Sequence, residues 1–449
     1  MVPKHSESII IVGAGCFGIS TAYHLLQRGY TNVTVLDRSE KLPAPDAAST
    51  DINKIVRTSY SDVFYTQLAR DAIQEWNKSD EWGDCYRGSG VLVIGGADDD
   101  DSEQPYSSKA YANDVAAGVR TLRFSSRDAA VRAAVFPPDV QIGPWLERAS
   151  GYVNLDSGWA LAARGVEKLM ARVLALGGRV IGGKAVTGLV REDGTTTTTT
   201  TTTGVRLADG SSMSARLVVI ASGSWTASTF RELDLCGNCL STGQTVATIQ
   251  LTPDEATRYK DVPVVLDFYT NFYIFPPNDD NVVKLALHGP GVAHYTTGDT
   301  DKQPVSTPRT ISSHGEDGLR VPRSAVRRLR SSLRDVYPEL AEKPFATTRL
   351  CWYTDSPDSD WTIGYYPPDS GLLLATSGSG HAYKARKILG FLPVIGRIVA
   401  DAIEGTLDPA IAQKFAVDRK HTTLDLLRGT LKPVDLATEQ LCTPEDLIP

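Results

Sequence analysis

The sequence predicts an α/β fold in two parts: a doubly wound nucleotide-binding half, and a second half built on a mixed, mainly antiparallel sheet. The first observation behind this is residues 8–37, SIIIVGAGCFGISTAYHLLQRGYTNVTVLD. Here a β-branched run, three glycines in G-x-G-x-x-G spacing, a helical pattern and a second strand follow in order. The second is LVVIASG at 217–223, another buried strand running into small residues. The third is a series of short apolar runs at 246–251, 264–268, 272–275 and 282–287, separated by turn residues.

Each piece of the opening stretch has a physical task. Ile9, Ile10, Ile11 and Val12 suit a strand buried on both faces of a parallel sheet. Gly13, Gly15 and Gly18 serve a tight turn, close approach of backbone to a pyrophosphate, and close helix–strand packing. The helix that follows, 19–28, ends at Gly29 and offers free N–H groups and partial positive charge at its start. Asp37 closes the second strand, where a carboxylate can hold both hydroxyls of a ribose. Cys16, Phe17 and Arg38, within and just after the fingerprint, are assigned to the same adenine dinucleotide. The fingerprint does not separate FAD from NAD; the returning strand at 217–223, with Ser222 as its small hydroxyl residue, favours FAD in a glutathione-reductase-like Rossmann domain.

The totals narrow the field. A chain of 449 residues is too long for one compact core. Its net charge of −7 and the absence of a basic stripe argue against a nucleic-acid surface. Six cysteines in this length do not make a disulfide framework, which predicts a reducing compartment. No apolar run reaches the roughly 20 residues of a membrane span. With neither a signal-peptide pattern nor a Ser-Lys-Leu type ending, a cytoplasmic address is expected.

Along the rest of the chain, 38–61 is expected to loop over the cofactor, carrying Asn53, Lys54 and Arg57. The planar guanidinium of Arg57 suits a two-pronged hold on a carboxylate; a solvated loop charge is the plain alternative. Phe64, Leu68, Ala72 and Trp76 repeat at helical spacing. The acidic run Asp98 to Asp101 reads as a solvated loop, and no metal site is expected. Trp159, Ala162, Val166, Leu169, Met170, Val173 and Leu174 line one helix face, closed by Gly177 and Gly178. The threonine tract 195–203 reads as a hairpin tip. Cys236 and Cys239 form a lone C-x-x-C without the further ligands zinc needs and read as ordinary cysteines. Lys284 sits inside an apolar strand, where an ammonium is costly unless it has a partner or a task, and alternation puts it on one sheet face with His288. Residues 296–323 read as a long polar surface loop, and 326–336 as a helix ended by Pro338. A strand at 372–376 then enters Ser377-Gly378-Ser379-Gly380-His381, a glycine-rich segment able to present N–H dipoles to an anion.

Three segments, INKIVR at 52–57, CWYTDSPD at 351–358 and GSGHAYK at 378–384, follow the dinucleotide fingerprint in order. On these the chain resembles the sarcosine-oxidase-like branch of the FAD-dependent amine oxidases, which includes fungal fructosyl amino acid, saccharopine and pipecolate oxidases. The resemblance runs from about Ile9 to Asp408. It implies FAD joined covalently through Cys351, and Arg57 with Lys384 gripping a substrate carboxylate. It also implies Lys284 promoting the reaction with oxygen, His288 and Tyr273 beside the substrate, and Lys54 at a position that is arginine or lysine across the group. Asn53, Gly378, Gly380, His381 and Lys384 fall on the cofactor side of the same segments. The implied domains are an FAD-binding domain from 1–84, 151–230 and 351–412, a substrate domain from 85–150 and 231–350, and a tail at 413–449.

Two departures bear on the substrate. His288 stands where fructosyl amino acid oxidases usually carry glutamate, and their arginine-rich segment after the last helix is replaced by KFAVDRK at 414–420. Family members also pass directly from the lysine to FLPVIG, whereas this chain inserts ARKILG at 385–390, with Arg386 and Lys387 as alternative cations. The resemblance therefore implies an oxidase of an N-methyl, N-alkyl or cyclic amino acid, giving imine and hydrogen peroxide. The partners implied are the amino acid and molecular oxygen, with the chain a monomer or weak homodimer. The rivals are an amadoriase, an FAD dehydrogenase with another acceptor, and a silent flavin binder.

Overall fold

The structure, a computed structural model, describes residues 2–95, 106–193, 200–296, 303–367, 369–378, 388–421 and 432–449. Two sheets organise it. The first runs Thr362–Tyr366, Asp369–Thr376, Leu217–Ile220, Ile9–Val12, Val33–Leu36, Arg179–Ile181; its pairs are parallel apart from the hairpin of the first two strands. Ile9 lies in register with Leu217 on one side and Val33 on the other, so two stretches far apart in sequence flank the same strand. Ile9 and Ile11 enter one apolar core and Ile10 and Val12 the other, as a strand covered on both faces requires.

The second sheet is larger. Its path is Val434–Asp435, Val292–Ala293, Leu240–Gln250, Val282–Leu287, Phe272–Ile274, Val264–Asp267, Val91–Ile94, Ser150–Asn154 and Thr121–Ser125, with Thr347–Asp355 also paired along Leu240–Gln250. It is mainly antiparallel, with parallel pairs at Val264/Val91 and Val292/Val434. Period-2 alternation divides its faces. Val283, Leu285, Ala247 and Ile249 pack with Leu329 and Leu333 of the helix Arg323–Val336. Val246, Tyr273, Phe275, Ala286, Cys351 and Tyr353 form a separate cluster on the opposite face. The chain leaves this sheet for the first one after Asn154 and again after Asp355.

Several expectations need correction. Trp159 is in the strand Gly158–Ala160, paired with Ile55, and the helix begins only at Ala162; strand pairing overrides a spacing that also fits a helix. Leu174, on the expected apolar face, is exposed. The segment 38–61 is no simple loop: Lys54–Val56 is a buried strand. Arg57 is 4% exposed, which removes the solvated-charge reading. Within 296–323, Val305–Ser306 pairs with Tyr295–Thr296, and Arg309 and Thr310 are buried. Thr200 to Thr203 of the threonine tract belong to the strand Thr200–Leu207, while 195–199, like the acidic run 98–101, lies outside the described residues. The last described residues add a strand beside Val292–Ala293, and the Leu447 carbonyl accepts from the backbone N–H of Phe345.

Candidate active site

At Val12 the first strand ends and the chain must turn at once into the helix Cys16–Gln27. Gly13 makes the turn at φ +108°, and a Cβ there would lie 2.5 Å from the carbonyl oxygen of Ala221. Only glycine meets both demands. Gly18 sits so close to the Gly13 carbonyl that a side chain would collide with it, so its place is in helix packing rather than in the cleft. Gly15 precedes the helix and Cys16 and Phe17 open it, all three bordering a cleft. Asp37 borders it too; its carboxylate accepts from the backbone N–H groups of Ala14 and Ser39, each at 2.9 Å. Arg38 lies with its guanidinium 4.1 Å over the Trp225 ring and pairs with buried Asp46 at 2.6 Å.

This cleft encloses about 980 Å³, its open mouth included, and reaches from the glycine turn past Ser222 and Trp225 to Tyr353, Thr354 and Gly378. Its long apolar shape, helix N-terminus and fixed carboxylate fit a dinucleotide. A second observation supports the flavin end. Asn53 is fully buried, yet neither Oδ1 nor Nδ2 of its side chain has a partner among the described residues. A buried amide left so is costly, and a ligand edge bearing both a donor and an acceptor satisfies it.

Beside Asn53 lies a compact group of charges, of which Asp51, Lys54 and Lys284 are buried and Arg349 is half-buried. The strand Lys54–Val56 is pinned by Gly158–Ala160, which leaves Asp51, just before it, facing the second sheet. Asp51 Oδ2 accepts from Lys284 Nζ at 2.5 Å and from Lys54 Nζ at 2.6 Å; Oδ1 lies 2.9 Å from Arg349 Nη2. Lys284 also donates to the Asn53 carbonyl at 2.7 Å and lies 4.9 Å over the Phe275 ring, and Lys54 Nζ is 3.4 Å from Cys351 Sγ. Three cations thus face one carboxylate. Burial opposes ionisation of Asp51, but Lys284, Lys54 and Arg349 outweigh it and hold the acid well below the usual range. Lys284, 0% exposed, is pushed down to about 7 by burial, with neighbouring Lys54 adding to the effect against the pull of Asp51. For Lys54 burial is outweighed by Asp51, which holds it above the ordinary lysine value.

The sheet face around these charges is aromatic. Tyr273 and Tyr353 belong to the same cluster on this face, and burial raises both phenols. His288 lies 5.6 Å from Tyr353, ring to ring, and its backbone N–H donates to the Asn271 carbonyl at 2.8 Å. The Arg57 guanidinium lies 4.5 Å over Tyr60 and 5.6 Å over Phe268 and is hydrogen-bonded to Tyr106. Phe268, Tyr273, Phe275, Tyr353 and Cys351 belong to one apolar cluster, with Arg57 at the Phe268 end and Lys284 at the Phe275 end.

Lys54, Asn53, Lys284, Cys351, Tyr273 and His288 are therefore brought together. Gly13, Gly15, Cys16, Phe17, Asp37, Arg38 and Gly378 line the cleft that leads to them. Gly380, His381 and Lys384 lie outside the described residues. Asp51 and Arg349 are not among the residues singled out from the sequence. Arg349 had a signal: it alternates with Cys351 and Tyr353 on one strand and so shares their face. Asp51 had only its place three residues before Lys54.

A doubly wound dinucleotide domain whose cleft ends against a buried cationic site on a second sheet defines a flavin-nucleotide oxidoreductase. Residues 8–402 match the family described as FAD dependent oxidoreductase, and the chain belongs to that family, with FAD as its cofactor. L-saccharopine oxidase of Schizosaccharomyces pombe is 30% identical over 416 residues, covering 90% of this chain and 91% of that protein. Amino acid oxidase imqH of Aspergillus flavus is 28% identical over 88% of this chain and 92% of that protein. Fructosyl peptide oxidase from E. terrenum superposes with a TM-score of 0.82 at 25% identity, over 98% of each chain.

Proposed function

We propose that this chain oxidises an amino acid bearing a secondary amine, whether N-methyl, N-alkyl or cyclic, with oxygen as acceptor and imine and hydrogen peroxide as products. The observation that carries the reading is the set of buried Lys284 and Lys54 and half-buried Arg349 around buried Asp51, placed against Cys351 beyond the end of the dinucleotide cleft. FAD, when bound, supplies the means of taking a hydride equivalent from carbon and returning two electrons to oxygen. Arg57 pairs with the substrate carboxylate from its aromatic surroundings, and Lys384 meets the same carboxylate. Tyr273 and His288 border the amine and fix which carbon is presented. The Lys284 ammonium, shielded from water, stabilises negative charge as it develops on oxygen. Cys351 provides the sulfur for a thioether to the flavin, with Lys54 held against it.

Saccharopine and fructosyl peptides, named for two of the relatives, are both secondary amines joined to a carboxylate-bearing residue. The likeness to fructosyl peptide oxidase keeps an Amadori product as a second reading; His288 in place of a glutamate weighs against it. The protein is further read as a cytoplasmic monomer or weak homodimer that binds neither nucleic acid nor membrane. No helix among the described residues is long and apolar enough to cross a bilayer, and none of their side-chain groups makes a metal site.

Anaerobic mixing of the purified holoenzyme with sarcosine, pipecolate, saccharopine, fructosyl-valine and N-methylated aromatic amino acids tests the reading. At least one non-glycated secondary amine should bleach the flavin, and admission of air should yield one peroxide per turnover. Bleaching by fructosyl-valine alone would select the second reading; bleaching without peroxide would point to another acceptor. Acid precipitation separately tests the Cys351 link, which requires the yellow colour to stay in the pellet.

A further inference from the structure

The Cys236/Cys239 pair takes no part in the proposed reaction, and its surroundings are specific. The backbone N–H groups of Asn238 and Cys239 both donate to the Leu235 carbonyl, at 2.9 and 2.8 Å, so the four residues close one turn of chain. Residues three apart on a helix-like turn bring their Cβ atoms to about 5–6 Å, wider than the roughly 3.5–4.5 Å of a disulfide, so closing the link must tighten this turn. Cys236 is half-buried and Cys239 is buried, and Cys236 is near enough to contribute to the electrostatics of Cys239.

Cys239 is also tied to the cofactor cleft. Its sulfur lies 3.4 Å from Ser377 Oγ, which donates to the Asn238 carbonyl at 2.9 Å. Ser377 holds a left-handed φ of +56°, a strained conformation for a residue with a side chain, directly before Gly378 in the cleft wall. Thr376, next to Ser377 in the chain, has its Oγ1 3.1 Å from Thr226 Oγ1, itself 3.1 Å from Ser222 Oγ. Ser222 is a second residue of the cleft wall. The dithiol thus reaches the cofactor cleft through Ser377 and its chain neighbour Thr376.

We propose that Cys236 and Cys239 form a peroxide-oxidisable dithiol whose disulfide state reshapes the cofactor cleft through Ser377 and Thr376. The Cys236 sulfur, the more exposed, attacks one peroxide oxygen; the O–O bond breaks, water leaves, and the sulfur becomes a sulfenic acid. The Cys239 sulfur attacks that sulfur, the S–O bond breaks, and a second water leaves. Two thiols lose two electrons and two protons, and one peroxide becomes two waters. The disulfide withdraws Cys239 from Ser377. Hydrogen peroxide is the oxidant by chemical class; its supply by the protein's own turnover rests on the oxidase reading, whereas the modification does not. Burial raises both thiols above their ordinary range, so oxidation is slow at neutral pH and accelerates as pH rises.

The test treats resting holoenzyme, without substrate, with reagent hydrogen peroxide. Peptide mass analysis should show a Cys236–Cys239 link and the loss of two hydrogens, with faster formation at pH 9 than at pH 7. After removal of peroxide, turnover should be about three- to tenfold lower, the size expected for a lost buried hydrogen bond, with a shifted flavin absorption band; dithiothreitol should restore both. Cys236→Ser should keep basal turnover and resist the treatment. No link under these conditions, a link with unchanged turnover and flavin spectrum, or equal inactivation of Cys236→Ser would each overturn the proposal. Because the link and the spectrum are read without substrate, failure of the oxidase reading leaves this result interpretable.

Discussion

The two faces of the larger sheet are cut from the same strands and hold opposite contents. On Val282–Leu287, residues 283, 285 and 287 join an apolar core with Ile249, Leu329 and Leu333. Lys284 and Ala286, between them, turn to the aromatic face, where Lys284 meets Asp51 and the Phe275 ring. The first face stabilises by removing hydrocarbon from water, about 25 cal/mol for each Å². The second buries Asp51, Lys54 and Lys284 beside half-buried Arg349, and desolvation of buried charges costs several kcal/mol per ion before any attraction is counted. Folding alone would favour an apolar residue at 284. A strand that carries valine and leucine on one side and an enclosed ammonium on the other is spending stability on chemistry, and the alternation keeps the two apart.

The comparison breaks first, and hardest, at Asp51. Asp51→Asn leaves Lys54 and Lys284 buried, and Arg349 half-buried, without a counter-charge, and should lower unfolding stability by about 3–5 kcal/mol in urea titration. Adding Lys284→Met to that variant should recover part of the loss, since one of the stranded cations is then gone; additive losses would mean that the charges reach water.

Lys284→Met alone should do the reverse. Stability should hold or rise, because an apolar side chain replaces a buried ion. Reoxidation of reduced enzyme by oxygen should slow by about 10²- to 10³-fold, the scale of removing one preorganised electrostatic group. Anaerobic reduction by substrate should change little, and stopped-flow absorbance separates the two halves. The sign of the pH effect follows from Lys284 being held down to about 7. The ammonium is present below that pH and is lost as pH rises through it, so wild-type reoxidation should be fastest on the acid side and decline above about 7. The Lys284→Met rate should stay flat across the same range. A wild-type profile that rose with pH would assign the assistance to a different group.

How much of this was legible in the sequence depends on how local each cause is. The glycine turn is local: strand, Gly13, Gly15, helix and Asp37 sit within thirty residues, and each responds to its immediate neighbours. The division of the larger sheet was legible for the same reason, since period 2 alone sets Lys284 apart from Val283 and Leu285. Asp51 was not, because what makes it matter is the arrival of Lys284 and Arg349 from strands more than two hundred residues away. Trp159 failed differently. Its spacing to Ala162 and Val166 fits a helix, but hydrogen bonding of its strand to Lys54–Val56 decides the backbone, and its partner there, Ile55, lies more than a hundred residues earlier in the chain. The role of Cys351 came from the resemblance alone; Arg57 and Lys284 were already marked by their own chemistry, a planar guanidinium suited to a carboxylate and an ammonium inside an apolar strand.

The smallest expected effect tests the separation itself. Ile249 is fully buried on the apolar face and pairs in register with Val283; its neighbour Thr248 pairs with Lys284. Ile249→Val removes one methylene and should cost about 0.5–1.5 kcal/mol of stability, a modest but measurable shift in urea midpoint. Nothing about Lys284 should change, because the missing methylene faces the helix Arg323–Val336 and the backbone register holding Thr248 against Lys284 is untouched. The rate of reoxidation and the pH at which it declines should therefore match wild type. A displaced pH midpoint in Ile249→Val would show that packing on the apolar face sets the position of the ammonium through the shared strands. The core would then be part of the oxygen site rather than its support.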